Sequence, residues 1–314
     1  MEPINTLPDW NGVPYFPISF FYKRFFGERV HKISVGIAST CPNRRKHDGT
    51  GCVFCDQWGS AANPLTVNLP LSDQIHQQRE YLIKRFKVNK FLVYFQAFTS
   101  TFIRLPTFDR QMETALGEKG IVGIAIGTRP DALPNEIFAR LKSFHETHFV
   151  SIELGVQSFF NKHLLFLNRG HTVEQSVDAI EQLHQKSGVN IAIHLIFGLP
   201  EESDREIIET ARIINNLPVD AVKLHNLHVL ANTPLETLYA TNQFEPIDLN
   251  SYTQKVILFL ENLSPAIAVH RLAASVSRSD QLIAPEWMRE RSKPSQYIIQ
   301  ELRNKKTYQG KLFP

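Results

Sequence analysis

All three cysteines of this 314-residue chain stand on one short stretch, Cys41-Pro-Asn-Arg-Arg-Lys-His-Asp-Gly-Thr-Gly-Cys52-Val-Phe-Cys55. A disulfide framework needs an even number of cysteines, spread more widely. Three soft thiolates on one polar loop suit a metal ion or an iron–sulfur cluster instead. A [4Fe–4S] cluster normally takes four protein ligands. Three would leave one iron open, the arrangement that chemistry needs and storage does not. A second reading stays open beside it: a structural zinc wants a closed fourth position, and His47 is near enough in sequence to supply one. Unrelated buried cysteines are disfavoured, because the loop is too polar and glycine-rich for a core.

Such a loop needs a frame, and the rest of the chain has a rhythm that supplies one. Apolar stretches at 31–40, 90–98, 121–127, 149–155, 190–197 and 221–230 read as strands. Between them, 71–86, 108–118, 135–144, 172–186, 203–217 and 249–263 have helical spacing, with Ser72 and Thr172 as N-caps, and 267–272 reads as a further strand. Near-continuous apolar strands alternating with amphipathic helices imply parallel strands buried on both faces. The expected fold is α/β, a partial (β/α)6 TIM-like barrel, with a seventh unit possible. Its expected parts are an aromatic-rich N-terminal lead-in (1–30) packing onto or capping the barrel, a barrel core (31–230) and a C-terminal extension (231–314). Chemistry in such barrels sits at the carboxyl ends of the strands, and Cys41 directly follows the first strand.

With 43% hydrophobic and 21% charged residues, the composition is that of an ordinary globular protein. No apolar run approaches a membrane span, and the first residues carry no signal-like pattern, so a cytoplasmic protein with reduced thiols and no membrane partner is expected. The net charge of +3 is unevenly placed: from Arg271 onward nine Lys/Arg face four acids, leaving the remainder slightly acidic. A basic tail of this kind suits a polyanion such as nucleic acid, or is simply a solvated surface.

Polar signatures recur after the predicted strands: Gln96-Ala-Phe-Thr, Gly127-Thr-Arg-Pro-Asp, Glu153-Leu-Gly-Val-Gln157-Ser, Asn168-Arg169-Gly-His, His194-Leu-Ile-Phe-Gly198-Leu-Pro and Lys223-Leu-His225-Asn-Leu-His228. Each alone is an ordinary buried amide or surface charge. Six on one rim are another matter, since an inert barrel gains nothing by burying polar groups there.

With the Cys-x10-Cys-x2-Cys loop and Phe54 before its last cysteine, these motifs, in this order, resemble the radical S-adenosylmethionine (SAM) enzymes. The long first gap is similar to the Elongator catalytic-subunit branch and, more closely, to YhcC/YtqA-type proteins; the likeness runs from about residue 31 to 287. The resemblance implies that Cys41, Cys52 and Cys55 bind three irons of a [4Fe–4S] cluster whose fourth iron is chelated by the amine and carboxylate of SAM. It also implies that Gln96 contacts the SAM amino group, that Gln157 and Arg169 hold its ribose and carboxylate regions, and that strand five, with His194 and Gly198, passes the nucleoside. Ala125 and His194 stand where some relatives carry carboxylates, so the nucleoside contacts do not transfer unchanged. Unlike the Elongator subunit, the chain is not expected to carry an acetyltransferase domain after the barrel, and with all three cysteines used a second cluster would lack thiolate ligands.

The implied activity is reductive cleavage of SAM to a 5′-deoxyadenosyl radical that abstracts hydrogen, fed by an electron donor such as flavodoxin or ferredoxin. Two substrate classes stay open: a tRNA, from the basic tail and the Elongator kinship, and a small metabolite held by Glu153, Lys223, His225 or His228. The rival from another class is a zinc-stabilised binding module without redox chemistry.

Overall fold

The computed structural model describes residue 10 and residues 12–37, 40–46, 51–59, 68–96, 98–276 and 279–314. Seven parallel strands form one sheet in the order β1-β2-β3-β4-β5-β6-β8. They are β1 (Val30–Val35), β2 (Lys90–Phe95), β3 (Ile121–Thr128), β4 (Phe149–Gln157), β5 (Asn190–Phe197), β6 (Ala221–Asn226) and β8 (Ala268–Val269). Among the described residues β1 and β8 do not pair, so the sheet curls without closing. Two short strands, β7 (Val229–Leu230) and β9 (Leu282–Ala284), pair antiparallel beyond the end of β6.

Each crossover is a helix laid on the outer face: α3 (Leu71–Phe86), α4 (Leu105–Leu116), α5 (Asn135–His145), α7 (Val173–Ser187), α8 (Asp204–Asn215) and α10 (Leu249–Asn262). Alternation along the strands sends Val93, Ile124, Ile152, Ile193 and Val222 outward, where they join Met112, Leu141, Ile180, Ile207 and Val256 of those helices in one core. The expected α/β partial barrel is the observed fold, with the seventh strand reduced to two residues.

Helix α1 (Ile18–Phe26) plugs the amino end of the barrel. Its Phe21 and Tyr22 meet Phe149, and Phe16, Ile18 and Phe21 cover a layer of small residues, Ala192, Ala221 and Ala268. The last helix, α11 (Lys293–Asn304), packs on α10. The buried Gln309 side chain accepts from the Phe16 N–H at 2.9 Å and donates to the Ser264 and Ile267 carbonyls at 2.7 and 2.8 Å. The chain's end is thereby tied to the amino ends of the strands, and Arg303 bonds there to the Gly12 carbonyl.

Several boundaries differ from expectation. Pro70, not Ser72, is the cap residue of α3, and no side chain caps it; Ser72 falls inside the first turn. Helix α4 begins at Leu105, because Pro106 is well suited to a first turn whose N–H groups have no partner. Strand β4 continues to Gln157, and β6 stops at Asn226. Thr172 makes the expected cap, reciprocated by Gln175, and Ser203 does the same with Glu206. Three short helices stand on the carboxyl-end rim: α2 (Pro42–Lys46) in the cysteine loop, α6 (Asn161–Phe166) after β4, and α9 (Pro234–Ala240) after β7.

Candidate functional site

A cavity of about 420 Å³ opens at the carboxyl ends of the strands. The three thiols lie at one end of it. Cys41 and Cys52 are buried, Cys55 is half-buried, and none is in a disulfide. The loop carrying them is pinned to the rest of the rim: Val53 N–H bonds to the Leu167 carbonyl and Leu235 N–H to the Val53 carbonyl, at 3.1 and 2.9 Å. Asn168 Nδ2 donates to the Gly51 carbonyl at 2.7 Å.

Three side-chain N–H donors point at two of the sulfurs. Cys52 Sγ receives Arg169 Nη1 at 3.2 Å and Asn43 Nδ2 at 3.4 Å; Cys55 Sγ receives Arg44 Nη2 at 3.4 Å. Arg129, held bidentately by Asp131 at 2.8 and 2.9 Å, donates to the Arg169 carbonyl. Among the described residues, buried Nε of Arg169 and of Arg44 and Nη1 of Arg129 have no hydrogen-bond partner. Burial, and then the neighbouring Cys52, push the Cys55 thiol up to about 11. Protonated thiols need few donors; thiolates and cluster sulfides are acceptors, and guanidinium groups around them offset their negative charge. The residues present therefore fit an anionic iron–sulfur group. Among the described residues no three thiol, imidazole or carboxylate groups close on a single metal ion. His47, the fourth ligand a zinc would use, lies outside the described residues.

Four of the five residues expected to hold a cofactor, Gln96, Gln157, Arg169 and His194, line this cavity. Gln157 has φ +71° at the irregular end of the β4–β5 pairing. Gly155 is needed beside it, since a Cβ there would stand 2.8 Å from Gln157 Nε2 and 3.0 Å from Arg169 Nη2. Gly198 is not among the lining residues. Its φ of +82° and the Ile247 side chain, 2.6 Å from any added Cβ, are what require glycine, and its N–H donates to Glu202 at 2.8 Å.

The barrel interior below the cavity is polar. The Glu153 carboxylate, with no solvent exposure, takes Lys32 Nζ on Oε1, and on Oε2 both Lys223 Nζ and His194 Nε2 at 2.8 Å. Lys223 also donates to Tyr94 Oη at 3.1 Å. Burial alone would raise the Glu153 carboxyl; Lys223 and Lys32, then His270 and His194, outweigh it and hold it well below the usual range. Burial, opposed by Glu153 but reinforced by Arg271 and Lys32, brings Lys223 down to about 7. His194 is held down at about 4 by burial and Lys223, and His225 well below its ordinary value by burial and Arg271.

Of these, Glu153, Lys223, His225 and His228 are legible as strand-end polar residues. Lys32 is not singled out by sequence, and His270 and Arg271 figure there only as the His-Arg-Leu of a family-like motif, with no role attached. Their signal is weak but real: Lys32 is an inward-parity residue within a strand pattern, and His270 and Arg271 fall inside the stretch 267–272. Arg271, counted by sequence in the basic tail, lines the cavity instead. Arg303, Lys305 and Lys306 do not.

Comparison with known proteins agrees with this architecture. The Radical SAM superfamily model matches residues 37–214 and the Radical_SAM C-terminal domain model residues 219–304. The chain is 35% identical to protein MJ0486 of Methanocaldococcus jannaschii, covering 96% of this chain and 93% of that protein. Identity to YtqA of Bacillus subtilis is 32%, over 95% and 92% of the two chains. A shorter likeness, 30% over 46% of this chain and 27% of the other, links it to the tRNA uridine(34) acetyltransferase of M. jannaschii. Among solved structures, archaeal Elp3 of Methanocaldococcus infernus shares the fold with a TM-score of 0.69 at 17% identity, over 89% of this chain and 64% of that one. Members of this superfamily use a [4Fe–4S] cluster and SAM, a use to which three thiols at the carboxyl ends of a parallel half-barrel are suited. The chain belongs to the radical SAM superfamily of enzymes.

Proposed function

We propose that Cys41, Cys52 and Cys55 hold a [4Fe–4S] cluster and that the adjoining cavity takes SAM and a small-molecule substrate. When bound and reduced, such a cluster would supply the one-electron reductive cleavage of SAM by which hydrogen is abstracted from a substrate. The chain's own residues orient and insulate that chemistry. Arg169, Asn43 and Arg44 donate to the cluster-binding sulfurs. Gln96 takes the amino group of SAM, Gln157 and Arg169 its ribose and carboxylate regions, and His194 flanks the nucleoside beside the turn that Gly198 makes. A guanidinium suits the carboxylate because its fork matches both oxygens. The aromatic plug around α1 closes the amino end of the barrel beneath this polar interior. An external one-electron donor of the flavodoxin or ferredoxin kind completes the cycle.

The observation that carries this reading is the set of three N–H donors aimed at the sulfurs of a three-cysteine rim loop. Anaerobic reconstitution with iron and sulfide, reduction with dithionite and addition of SAM should yield 5′-deoxyadenosine, and Cys52→Ala should abolish it. Protein that refuses iron and sulfide and returns colourless with zinc would overturn the assignment.

A second substrate reading, tRNA, has its support in the stretch shared with the tRNA uridine(34) acetyltransferase. Arg303, Lys305 and Lys306 do not add to it, since none lines the cavity and Arg303 is turned to the Gly12 carbonyl. Stimulation of 5′-deoxyadenosine formation by bulk tRNA, and not by RNase-treated tRNA, would favour this reading over a metabolite.

A further inference from the structure

We infer that the β5–β6–β8 side of the cavity is an oxyanion site, in which Arg271, Lys223 and His225 receive the carboxylate or phosphate group of a small substrate. This rests on the proposed reading of the cavity as the reaction site and names the class of molecule that enters it.

The charges inside the barrel do not balance. Three cations, Lys32, Lys223 and Arg271, surround one carboxylate, Glu153. Both carboxylate oxygens are engaged, Oε1 by Lys32 and Oε2 by Lys223 and His194. Arg271 is left over. Among the described residues no carboxylate lies within ion-pair distance of it, and its buried Nε has no hydrogen-bond partner. Its Nη2 rests on the ring nitrogens of His225, at 2.6 and 3.0 Å. A guanidinium in such a place, without counter-charge, carries a large desolvation cost that an anion would offset.

The neighbours are prepared for an anion as well. Burial and the adjacent cations keep His225 neutral, so it adds no further charge; one ring nitrogen accepts from Arg271 and the other carries an N–H for an anion, whereas the single N–H of neutral His194 is already given to Glu153. Lys223, also depressed by Arg271 and Lys32, would regain its proton fully beside an oxyanion. Arg271, Lys223, His194 and His225 all line the cavity. The far, thiol end has its own guanidinium groups, on Arg129 and Arg169, so the SAM carboxylate does not need Arg271.

Depth decides the size of the ligand. Lys223 stands two residues below His225 on β6, about 6–7 Å further in at the rise of a strand. Its side chain is 12% exposed and that of Glu153 not at all. The backbone phosphate of a folded polynucleotide cannot descend that far, whereas a small organic acid or phosphorylated metabolite can.

The test uses reconstituted holoenzyme without SAM, in low-chloride buffer, titrated calorimetrically with inorganic phosphate and, separately, with acetate. One of the two should bind saturably to wild type, phosphate preference marking a phosphorylated ligand and acetate preference a carboxylate. Arg271→Gln should weaken that binding about tenfold or more, Arg271→Lys by less, and Arg303→Gln, on the outer surface, not at all. Equal affinity in wild type and Arg271→Gln, or no saturable binding of either anion to wild type, would overturn the proposal. Should Arg271→Gln fail to fold, wild-type crystals soaked in selenate decide the matter: anomalous density within hydrogen-bond reach of Arg271 and Lys223 is expected, and density only elsewhere refutes it. Because no SAM is present, these results stand or fall apart from 5′-deoxyadenosine formation.

Discussion

Lys32, on the first strand of the sheet, and Glu153, on the fourth, form an ion pair inside the barrel although two strands lie between them. In a flat sheet, strands three apart are separated by about 14 Å, well beyond the reach of such a pair. The contact is therefore a measure of curl. It also places the Glu153 carboxylate between a lysine of β1 and a lysine of β6, so that opposite walls of an unclosed barrel are joined by charge rather than by backbone hydrogen bonds.

Replacing Glu153 should be costly. Glu153→Gln leaves Lys32 and Lys223 buried without a counter-charge, and the expected loss is roughly 3–5 kcal/mol of unfolding free energy. Lys32→Met should cost less, because Lys223 and His194 still satisfy the carboxylate. Urea unfolding at neutral pH compares the two; an equal or reversed order would contradict this account of the interior.

Gly198→Ala should destabilise by about 1–3 kcal/mol, combining a left-handed backbone with overpacking against Ile247. Adding Ile247→Ala at the second site should relieve the packing part only. If the single variant unfolds at the same denaturant concentration as wild type, the glycine is not required by its conformation.

Stability should fall in mild acid, with His194 contributing. Its ordinary value is 6.5 and its folded value about 4, depressed by burial and then by Lys223. Between those values the unfolded chain holds a proton that the folded chain refuses, so the contribution is fully present above 6.5 and is lost as pH falls through about 4. His194→Gln keeps an N–H for Glu153 and should flatten the dependence of unfolding free energy on pH in that window by up to about 1.4 kcal/mol per unit. Denaturation curves between pH 4.5 and 7 would show it, and parallel slopes for variant and wild type would rule it out.

Arg169 bridges two acceptors, Cys52 Sγ at 3.2 Å and the Gly155 carbonyl at 2.6 Å, with one planar fork. A lysine cannot reach both. Arg169→Lys should therefore lower iron retained after reconstitution and weaken SAM binding about tenfold, and Arg169→Met should do more. Iron content per chain and equilibrium dialysis of SAM are the readouts; wild-type values in both variants would remove Arg169 from the site.

Neutralising Arg303, Lys305 and Lys306 together as glutamines should leave 5′-deoxyadenosine formation unchanged, since none lines the cavity and Arg303 is turned to Gly12. A fall in the rate that is restored by low salt would instead implicate the tail in substrate capture.

The sequence by itself determined the alternation of strands and helices, the parallel sheet and the cysteine loop at the mouth. Those follow from apolar periodicity and from ligand spacing, both local properties that a few adjacent residues carry. Gln96, Gln157, Arg169 and His194 stand among the polar groups that cluster toward the strand ends, but it is the family resemblance, not polarity alone, that picks them out. Only the tertiary structure decided which polar groups meet. Arg271 belongs by sequence to a run of basic residues, yet β8 brings it to the cavity while Arg303 is bound to the Gly12 carbonyl and does not line the cavity. Lys32 looks like an ordinary strand lysine until curl brings it to Glu153. Gly198 carries the same sign of φ as a ligand-contacting turn, but its neighbour is Ile247. The physical reason is the same in all three cases: the pairing depends on sheet curvature and crossover geometry, which act between residues dozens to more than a hundred positions apart and leave no mark on local spacing.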